Sequence, residues 1–278
     1  MVTMETGEYT ASDGSGLCYR EWKPDGYETI VVNLHGIQSH SGWFTRSCEH
    51  LAQNGARVVS LDRRGSGRNE EARGHTPSAG QLIDDLKVMV ERLRAEDPDK
   101  KLHLLGVCWG GKLAAALSGL HPELVDSLIL SSPGLAAKVR PGLLDCVLIG
   151  ICSLVWAGRL FRIPIDRAEM FTSNPDRIEF IKNDPLRLDR ATARLMAESK
   201  RLDWLLEGVV RQIQAPALLM LSGRDEIVDN EWNMRIFDRF GSAEKQIETF
   251  DNACHMLEFE TDTAQYFDTL VRWIKKHS

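Results

Sequence analysis

One cysteine in this chain lies in a setting that suits a nucleophile. Cys108 is the centre of a Gly-Val-Cys-Trp-Gly turn at residues 106–110, between a short apolar run and a helical pattern. A strand that turns sharply into a helix presents the central side chain at the strand's carboxyl end, and glycines beside it avoid a clash with neighbouring backbone. Free N–H groups and the dipole at the start of that helix favour the thiolate, the nucleophilic form. The sequence therefore predicts a nucleophilic Cys108; the alternative is a buried structural cysteine.

Two later loops carry the groups that such a nucleophile needs. Asp225 follows a buried apolar strand, and His255 lies in the loop after the last predicted strand. A histidine can act as general base, and a carboxylate can hold its ring in the productive tautomer. The order nucleophile, acid, histidine is that of a large class of hydrolases, so we predict a triad of Cys108, Asp225 and His255. Asp229 is the alternative acid, although it also suits a helix cap, and a loop histidine taken alone is usually a surface residue.

Two backbone N–H groups are candidates for an oxyanion hole. The N–H of Trp109, next to the nucleophile, is the first, and the N–H of Ile37, after an early strand, is the second. The loss of one such donor typically costs about 10²–10³ in turnover. We expect His35 to brace the Ile37 loop and also name it as a candidate substrate contact. The histidines without a partner pattern are expected to be structural or solvated: His40, His50, His75, His103 and His121.

The order of predicted elements places these loops at one edge of a sheet. Strands alternate with helices up to residue 134 and again from residue 213, a pattern that predicts a parallel sheet covered on both faces with chemistry at the carboxyl ends of its strands. Residues 135–212 are mostly helical. We therefore predict a hydrolase-type core at 1–134 and 213–278, interrupted by a helical cap at 135–212.

Composition and charge narrow the class of protein. The chain has 278 residues and a formal net charge of −6, which gives no general attraction to nucleic acid. No secretory signal is visible, and the six cysteines show no CxxC pair or zinc-type spacing. We therefore expect reduced thiols, a cytoplasmic location and no bound metal.

The longest apolar run, residues 143–157, is too short to span a bilayer. One interpretation is a helix buried against the core. The other is the roof of an acyl-chain pocket, with Leu148 and Trp156 as candidate substrate contacts and an outer face that touches a membrane surface transiently. Nearby arginines could meet a polar head group, but solvation is the simpler expectation for them: Arg159, Arg162 and Arg167.

Several short motifs spread along the chain together carry a family resemblance. They are Asp13-Gly14, Trp22-Lys23-Pro24, Leu34-His35-Gly36, His40-Ser41-Gly42, residues 62–67, the turn at 106–110, Ser131-Ser132-Pro133, residues 183–186, Gly223-Arg224-Asp225 and Cys254-His255. With them the chain resembles the α/β-hydrolase superfamily, in the branch of monoacylglycerol lipases, lysophospholipases and serine aminopeptidase-like hydrolases. The resemblance implies an α/β fold with a mostly parallel eight-stranded sheet, flanking helices and a helical cap over the site.

The nucleophile departs from that branch, in which serine is the norm. The turn around Cys108 is similar to the cysteine elbows of polyhydroxyalkanoate synthases and dienelactone hydrolases, although the rest of the chain follows neither closely. An engineered replacement of serine by cysteine is an alternative that the sequence leaves open.

The resulting hypothesis is an acyl hydrolase that cleaves an ester or thioester of a small-molecule or lipid-like substrate, such as a monoacylglycerol or lysophospholipid. It would act without a cofactor, through a covalent acyl-thioester intermediate. A thioester also reacts with amines and thiols, so an acyltransferase or thioesterase of lipid or natural-product metabolism is the first alternative. A non-catalytic binding protein on the same fold is the second. The oligomeric state stays open.

Overall fold

The computed structural model describes residues 2–278 and is built around an eight-stranded sheet with the order β1-β2-β4-β3-β5-β6-β9-β10. All neighbouring strands pair in parallel except β1 with β2 and β2 with β4. The eight strands are β1 Met4–Thr10, β2 Gly16–Trp22, β3 Thr29–Leu34, β4 Ala56–Leu61, β5 Lys101–Val107, β6 Ser127–Ser131, β9 Ala217–Ser222 and β10 Lys245–Phe250. The predicted mostly parallel eight-stranded sheet is confirmed.

Helices cover both faces of this sheet, as the alternating pattern predicts. Strands β3, β4, β6 and β9 are buried along their whole length, whereas the edge strand β1 exposes most of its residues. The covering helices are α1 Thr45–Gln53, α2 Ala79–Glu96, α3 Trp109–Leu120, α7 Asn230–Asp238 and α8 Ala264–His277. Helix α2, which precedes strand β5, has Ser78 as its N-cap residue, and the Ser78 side chain accepts the N–H of Gln81.

Between β6 and β9 the chain forms a separate layer, at the place where the sequence predicts the cap. Its elements are α4 Leu143–Val155, β7 Leu160–Arg162, α5 Pro175–Asn183, β8 Arg190–Thr192 and α6 Ala193–Val209. Helix α6 packs on α3 of the core, and α4 packs on α6. We call residues 135–212 the cap from here on.

Two local features of the structure were not predicted from the sequence. The cap contains a short antiparallel ribbon, β7 with β8, which the sequence does not predict because each strand has only three residues and shows no alternating pattern. Strand β6 begins at Ser127, after a 3₁₀ turn at Pro122–Leu124. Within residues 2–278, none of the helices combines the length and the hydropathy needed to cross a bilayer.

Candidate active site

Cys108 lies in the tight turn between β5 and α3, with φ 54° and ψ −124°. This positive φ is strained for a residue with a side chain, and it persists only where the surroundings enforce it. The flanking glycines leave no room for anything larger: a Cβ on Gly110 would lie 2.3 Å from the Leu34 carbonyl oxygen, and one on Gly106 would lie 2.5 Å from the Gly111 Cα. The crowding predicted for this turn is therefore present.

His255 and Asp225 form a buried pair beside this turn. The two meet through Nδ1 and Oδ2 at 2.8 Å, and neither side chain is exposed. The other oxygen, Oδ1, accepts the backbone N–H groups of Ile227 at 2.8 Å and Val228 at 2.9 Å. Burial alone would raise the pKa of Asp225, but the His255 charge and these N–H groups outweigh it and lower the pKa. Asp229 has a different position: it caps α7 by accepting the N–H of Trp232 at 3.1 Å.

The other ring nitrogen of His255, Nε2, is buried and makes no hydrogen bond of normal geometry within residues 2–278. Burial lowers the pKa of His255, but the charges of Asp225 and Cys108, with side-chain interactions to both, raise it to about 10. The ring also meets the edge of Phe171, with 6.0 Å between the ring centroids. The imidazole is thus fixed on one side by Asp225 and left free to exchange a proton on the side of Cys108.

The two residues predicted to supply the oxyanion N–H groups lie in the same cavity as Cys108. Ile37 and Trp109 line one cavity together with Cys108. Across residues 2–278, neither backbone N–H donates to a protein acceptor. Gly36 sits against the nucleophile, since a Cβ there would lie 3.3 Å from the Cys108 Sγ. The loop and the turn therefore offer two free N–H groups beside the sulfur.

His35 braces the Ile37 loop from below. Its Nε2 accepts the N–H of Arg63 at 2.9 Å, so the neutral ring carries its proton on Nδ1, which donates to the Gly36 carbonyl at 2.7 Å. Burial and the Arg63 charge lower the pKa of His35 to about 3. His35 does not line the cavity, and backbone groups engage both of its ring nitrogens. Its position therefore does not support the predicted role as a substrate contact.

The cavity above the turn has a volume of about 1020 Å³ and is lined mostly by apolar side chains. Cys108, Ile37 and Trp109 form its floor, and the cap contributes Ile149, Leu154 and Met196.

Two predicted substrate contacts on the cap lie outside this cavity. Leu148 packs on a small apolar cluster of the cap around Ile149 and Phe161, one helical step away from the cavity side. Trp156 follows the last residue of α4 and is 63% exposed. Both expectations are corrected: the cavity side of α4 carries Ile149 and Leu154 instead.

Sequence reasoning missed the residues that tie the oxyanion loop to its surroundings. Arg63 donates to the Ile37 carbonyl at 3.1 Å and lies 5.1 Å above the Trp109 ring. Gln38 donates to the Ile165 carbonyl of the cap at 3.0 Å and accepts from the Arg187 guanidinium. These partners are remote in sequence, so no local pattern could have indicated them.

His40 is a further tie that the sequence left without a partner. Its Nε2 lies 3.0 Å from an Asp184 oxygen in the cap, and the Trp43 indole N–H donates to the same oxygen at 2.6 Å. The motifs around residues 40 and 184, noted separately in the sequence, thus meet between core and cap.

Comparisons with known proteins agree with this fold. Phospholipase YtpA of Bacillus subtilis (strain 168) is 26% identical over 253 residues, which span 88% of this chain and 95% of that protein. The monoglyceride lipase of Homo sapiens is 23% identical over 272 residues, which span 96% of this chain and 89% of the lipase.

Solved structures superpose closely. The Paleococcus ferrophilus monoacylglycerol lipase gives a TM-score of 0.83 at 24% identity, over 94% of this chain and 99% of that one. A soluble variant of the Saccharomyces cerevisiae monoglyceride lipase, in complex with a substrate analog, gives 0.85 at 20% identity, over 100% and 96%. The family described as "Serine aminopeptidase, S33" matches residues 26–262. Because that match spans well over half of the sequence, the chain belongs to the serine aminopeptidase (S33) family of lipase- and esterase-like α/β-hydrolases.

Proposed function

We propose that this protein is an acyl hydrolase that acts through Cys108, His255 and Asp225. The observation that carries the proposal is the buried His255–Asp225 pair, at 2.8 Å, beside a strained Cys108 at the floor of an apolar cavity. Such a turn is costly in free energy and is typical of sites where the strain serves the chemistry. A purely structural cysteine needs neither the positive φ nor a histidine held by a carboxylate.

The proposed reaction has two halves. The Cys108 thiolate attacks the acyl carbonyl carbon, and the N–H groups of Ile37 and Trp109 stabilise the oxygen that becomes negative. When the carbonyl re-forms, the bond to the leaving oxygen or sulfur breaks, and the His255 imidazolium gives its proton to that leaving group. A water molecule then attacks the thioester and gives a proton to His255, and the carboxylic acid leaves as the Cys108 thiolate is released. Asp225 keeps the ring oriented throughout.

The cavity and the relatives support a lipid-like substrate. Its apolar walls suit an acyl chain, and its volume of about 1020 Å³ is at the upper end of the range for small-molecule pockets. The names of the relatives, a phospholipase and monoglyceride lipases, favour a monoacylglycerol or lysophospholipid as the class to test first. No step requires a cofactor.

The outer face of the cap supports transient contact with a lipid surface. Helix α4 exposes a row of apolar side chains, with Leu143 at 89% and Val155 at 79% exposure. The others in the same segment are Leu144, Val147 and Ile151. Contiguous apolar surface of this kind is typical of interaction sites, and a helix in the plane of a membrane buries such a face among the lipid head groups. The reduced thiols expected from the sequence support the cytoplasm as the proposed location.

Acyl transfer is the alternative that one observation favours, namely sulfur in place of oxygen at the nucleophile. A thioester intermediate reacts readily with amines and thiols, so an acceptor that occupies the cavity could compete with water. Adding glycerol, amines and thiols during turnover separates the two reactions, because transfer yields an acylated acceptor and hydrolysis yields only the free acid.

The test is turnover of monoacylglycerols, lysophospholipids and acyl thioesters by the parent protein and by Cys108→Ala. We expect release of free acid by the parent and a loss of about 10⁴-fold or more in the variant. Activity of Cys108→Ala close to that of the parent would contradict the proposal, and binding of these ligands without any turnover would favour a non-catalytic protein. A Cys108→Ser variant far more active than the parent would point to a replaced serine.

A further inference from the structure

One buried charge in the cavity wall has no part in the proposed chemistry. Lys112 lies in α3, is only 6% exposed and lines the same cavity as Cys108. Four residues separate them, which is about 6 Å along a helix axis. Long helical side chains lean towards the helix N-terminus, and Cys108 is at that end of α3.

The ammonium group of Lys112 is only partly satisfied. It forms an ion pair with Asp203 of α6, and within residues 2–278 it makes no other polar contact. An ammonium has three N–H donors, and one carboxylate partner leaves donors available to a ligand in the cavity. The group therefore has donors free for a ligand oxygen, on a part of the cavity wall that also carries Ser199 and Asp203 of α6.

Asp203 has a second cation close by. Its Oδ2 lies 3.3 Å from the Nζ of Lys200, which is largely exposed. A substrate oxygen can thus bind to Lys112 while Asp203 keeps a counter-charge. A tether between core and cap alone would not need this arrangement at the cavity, because the Trp109 indole N–H already joins α3 to α6 through the Ser199 hydroxyl at 2.8 Å.

We propose that Lys112 binds a carboxylate or carbonyl oxygen on the acyl chain of the substrate, about five to six bonds from the carbon that Cys108 attacks. The proposal rests on the proposed function and narrows its substrate class from plain acyl chains to oxygen-bearing ones. A site with a buried donor rejects an analogue that lacks the acceptor far more strongly than an apolar pocket rejects an extra group. Lys112 is thereby a specificity residue rather than part of the triad.

The test compares three p-nitrophenyl esters: the hexanoate, the 5-oxohexanoate and the monoester of adipic acid. The parent should prefer one or both oxygen-bearing esters over the hexanoate in kcat/KM, and the ketone and the acid separate a carbonyl from a carboxylate. In Lys112→Met this preference should fall by about tenfold or more, mainly through KM, with the hexanoate turned over as well as before. Lys182→Met removes an exposed lysine that is paired with Glu169 outside the cavity lining, and it should leave the preference unchanged.

Asp203→Asn is the second variant, and it tests the proposal even if Lys112→Met does not fold. It leaves the ammonium without its carboxylate, so the preference for the adipate monoester should rise. A purely structural tether predicts instead that both variants lower the rates for all three esters equally, and that result would overturn the proposal. Cys108-dependent turnover with an unchanged preference in Lys112→Met would overturn the role of Lys112 alone. Absence of Cys108-dependent turnover for every ester would overturn the proposed function with it.

Discussion

The floor of the cavity and helix α4 of its cap are built in opposite ways. Beneath the floor, polar side chains such as His255, Asp225 and His35 are buried and hold one another or the backbone at hydrogen-bond distance. On α4, apolar side chains such as Leu144 face outward and make no comparable contacts. These polar groups are removed from water and held in a fixed geometry, which catalysis requires. Helix α4 instead leaves apolar surface exposed to water, which is favourable only if another surface covers it.

Helix α6 shows that the cap as a whole is not loosely attached. Its buried Glu198 accepts the N–H of Ala79 at the start of α2 at 3.0 Å, and the Ser199 hydroxyl accepts from Trp109 of α3. Helix α4 packs on α6 rather than on the sheet. We therefore expect changes at the floor to affect the chemistry, and changes on the outer face of α4 to affect only contact with surfaces.

The largest effect is expected at the floor. In Asp225→Asn the amide no longer holds the productive tautomer of His255, so turnover should fall by about 10⁴-fold. Initial rates on p-nitrophenyl hexanoate measure this, with thermal melting to show that the variant is folded. The matched control is Asp229→Ala, which removes the cap of α7: it should cost about 1 kcal/mol of unfolding free energy and leave turnover unchanged. Equal losses of turnover in both variants would mean that Asp225 has no special role.

On the outer face of α4 the expected effect is on binding. Leu144→Glu with Val155→Glu removes two exposed apolar side chains, each worth about 1.5 kcal/mol when buried in lipid, so partition onto phosphatidylcholine vesicles should fall by about 100-fold. Vesicle co-sedimentation measures the partition. Turnover of a short soluble ester should change little, since neither substitution reaches the floor. Unchanged vesicle binding would show that this face has another partner or none.

The pH dependence of kcat/KM should differ between the parent and Cys108→Ser, and this effect is the smallest of the three, about tenfold. Because the pKa of His255 is raised to about 10, the parent should keep its imidazolium up to that pH and lose activity only above it, when the leaving group has no proton donor. In Cys108→Ser the raising charge is gone and the serine needs a neutral His255. Its activity should therefore rise with pH through a lower pKa. Profiles of kcat/KM measure both; identical profiles would mean that Cys108 and His255 are not coupled.

The sequence was informative where chemistry is encoded locally. Cys108, Asp225 and His255 each follow a strand in the sheet order that brings strand ends together, and the glycines around Cys108 mark the strained turn. The parallel sheet covered by helices followed from the alternation of apolar strands and amphipathic helices, and the number of eight strands followed from the family resemblance.

The cap could not be predicted to the same depth. Helix α4 is apolar nearly all round, so its periodicity does not indicate which side faces the cavity, and the structure has Ile149 and Leu154 there rather than Leu148 or Trp156. Lys112 and Gln38 lacked any signal, because their partners in the cap are remote in sequence. Contacts of that kind depend on how the cap docks, which no local pattern records.

The most direct test of the central claim is the mass of Cys108 during turnover. The parent protein is mixed with a slowly hydrolysed acyl thioester and quenched in acid, and intact and peptide masses are recorded beside Cys108→Ala. We predict one acyl group on the peptide that contains Cys108, which disappears as free acid accumulates, and no adduct on the variant. Turnover without an adduct on Cys108, or an adduct that stays in Cys108→Ala, would contradict the account.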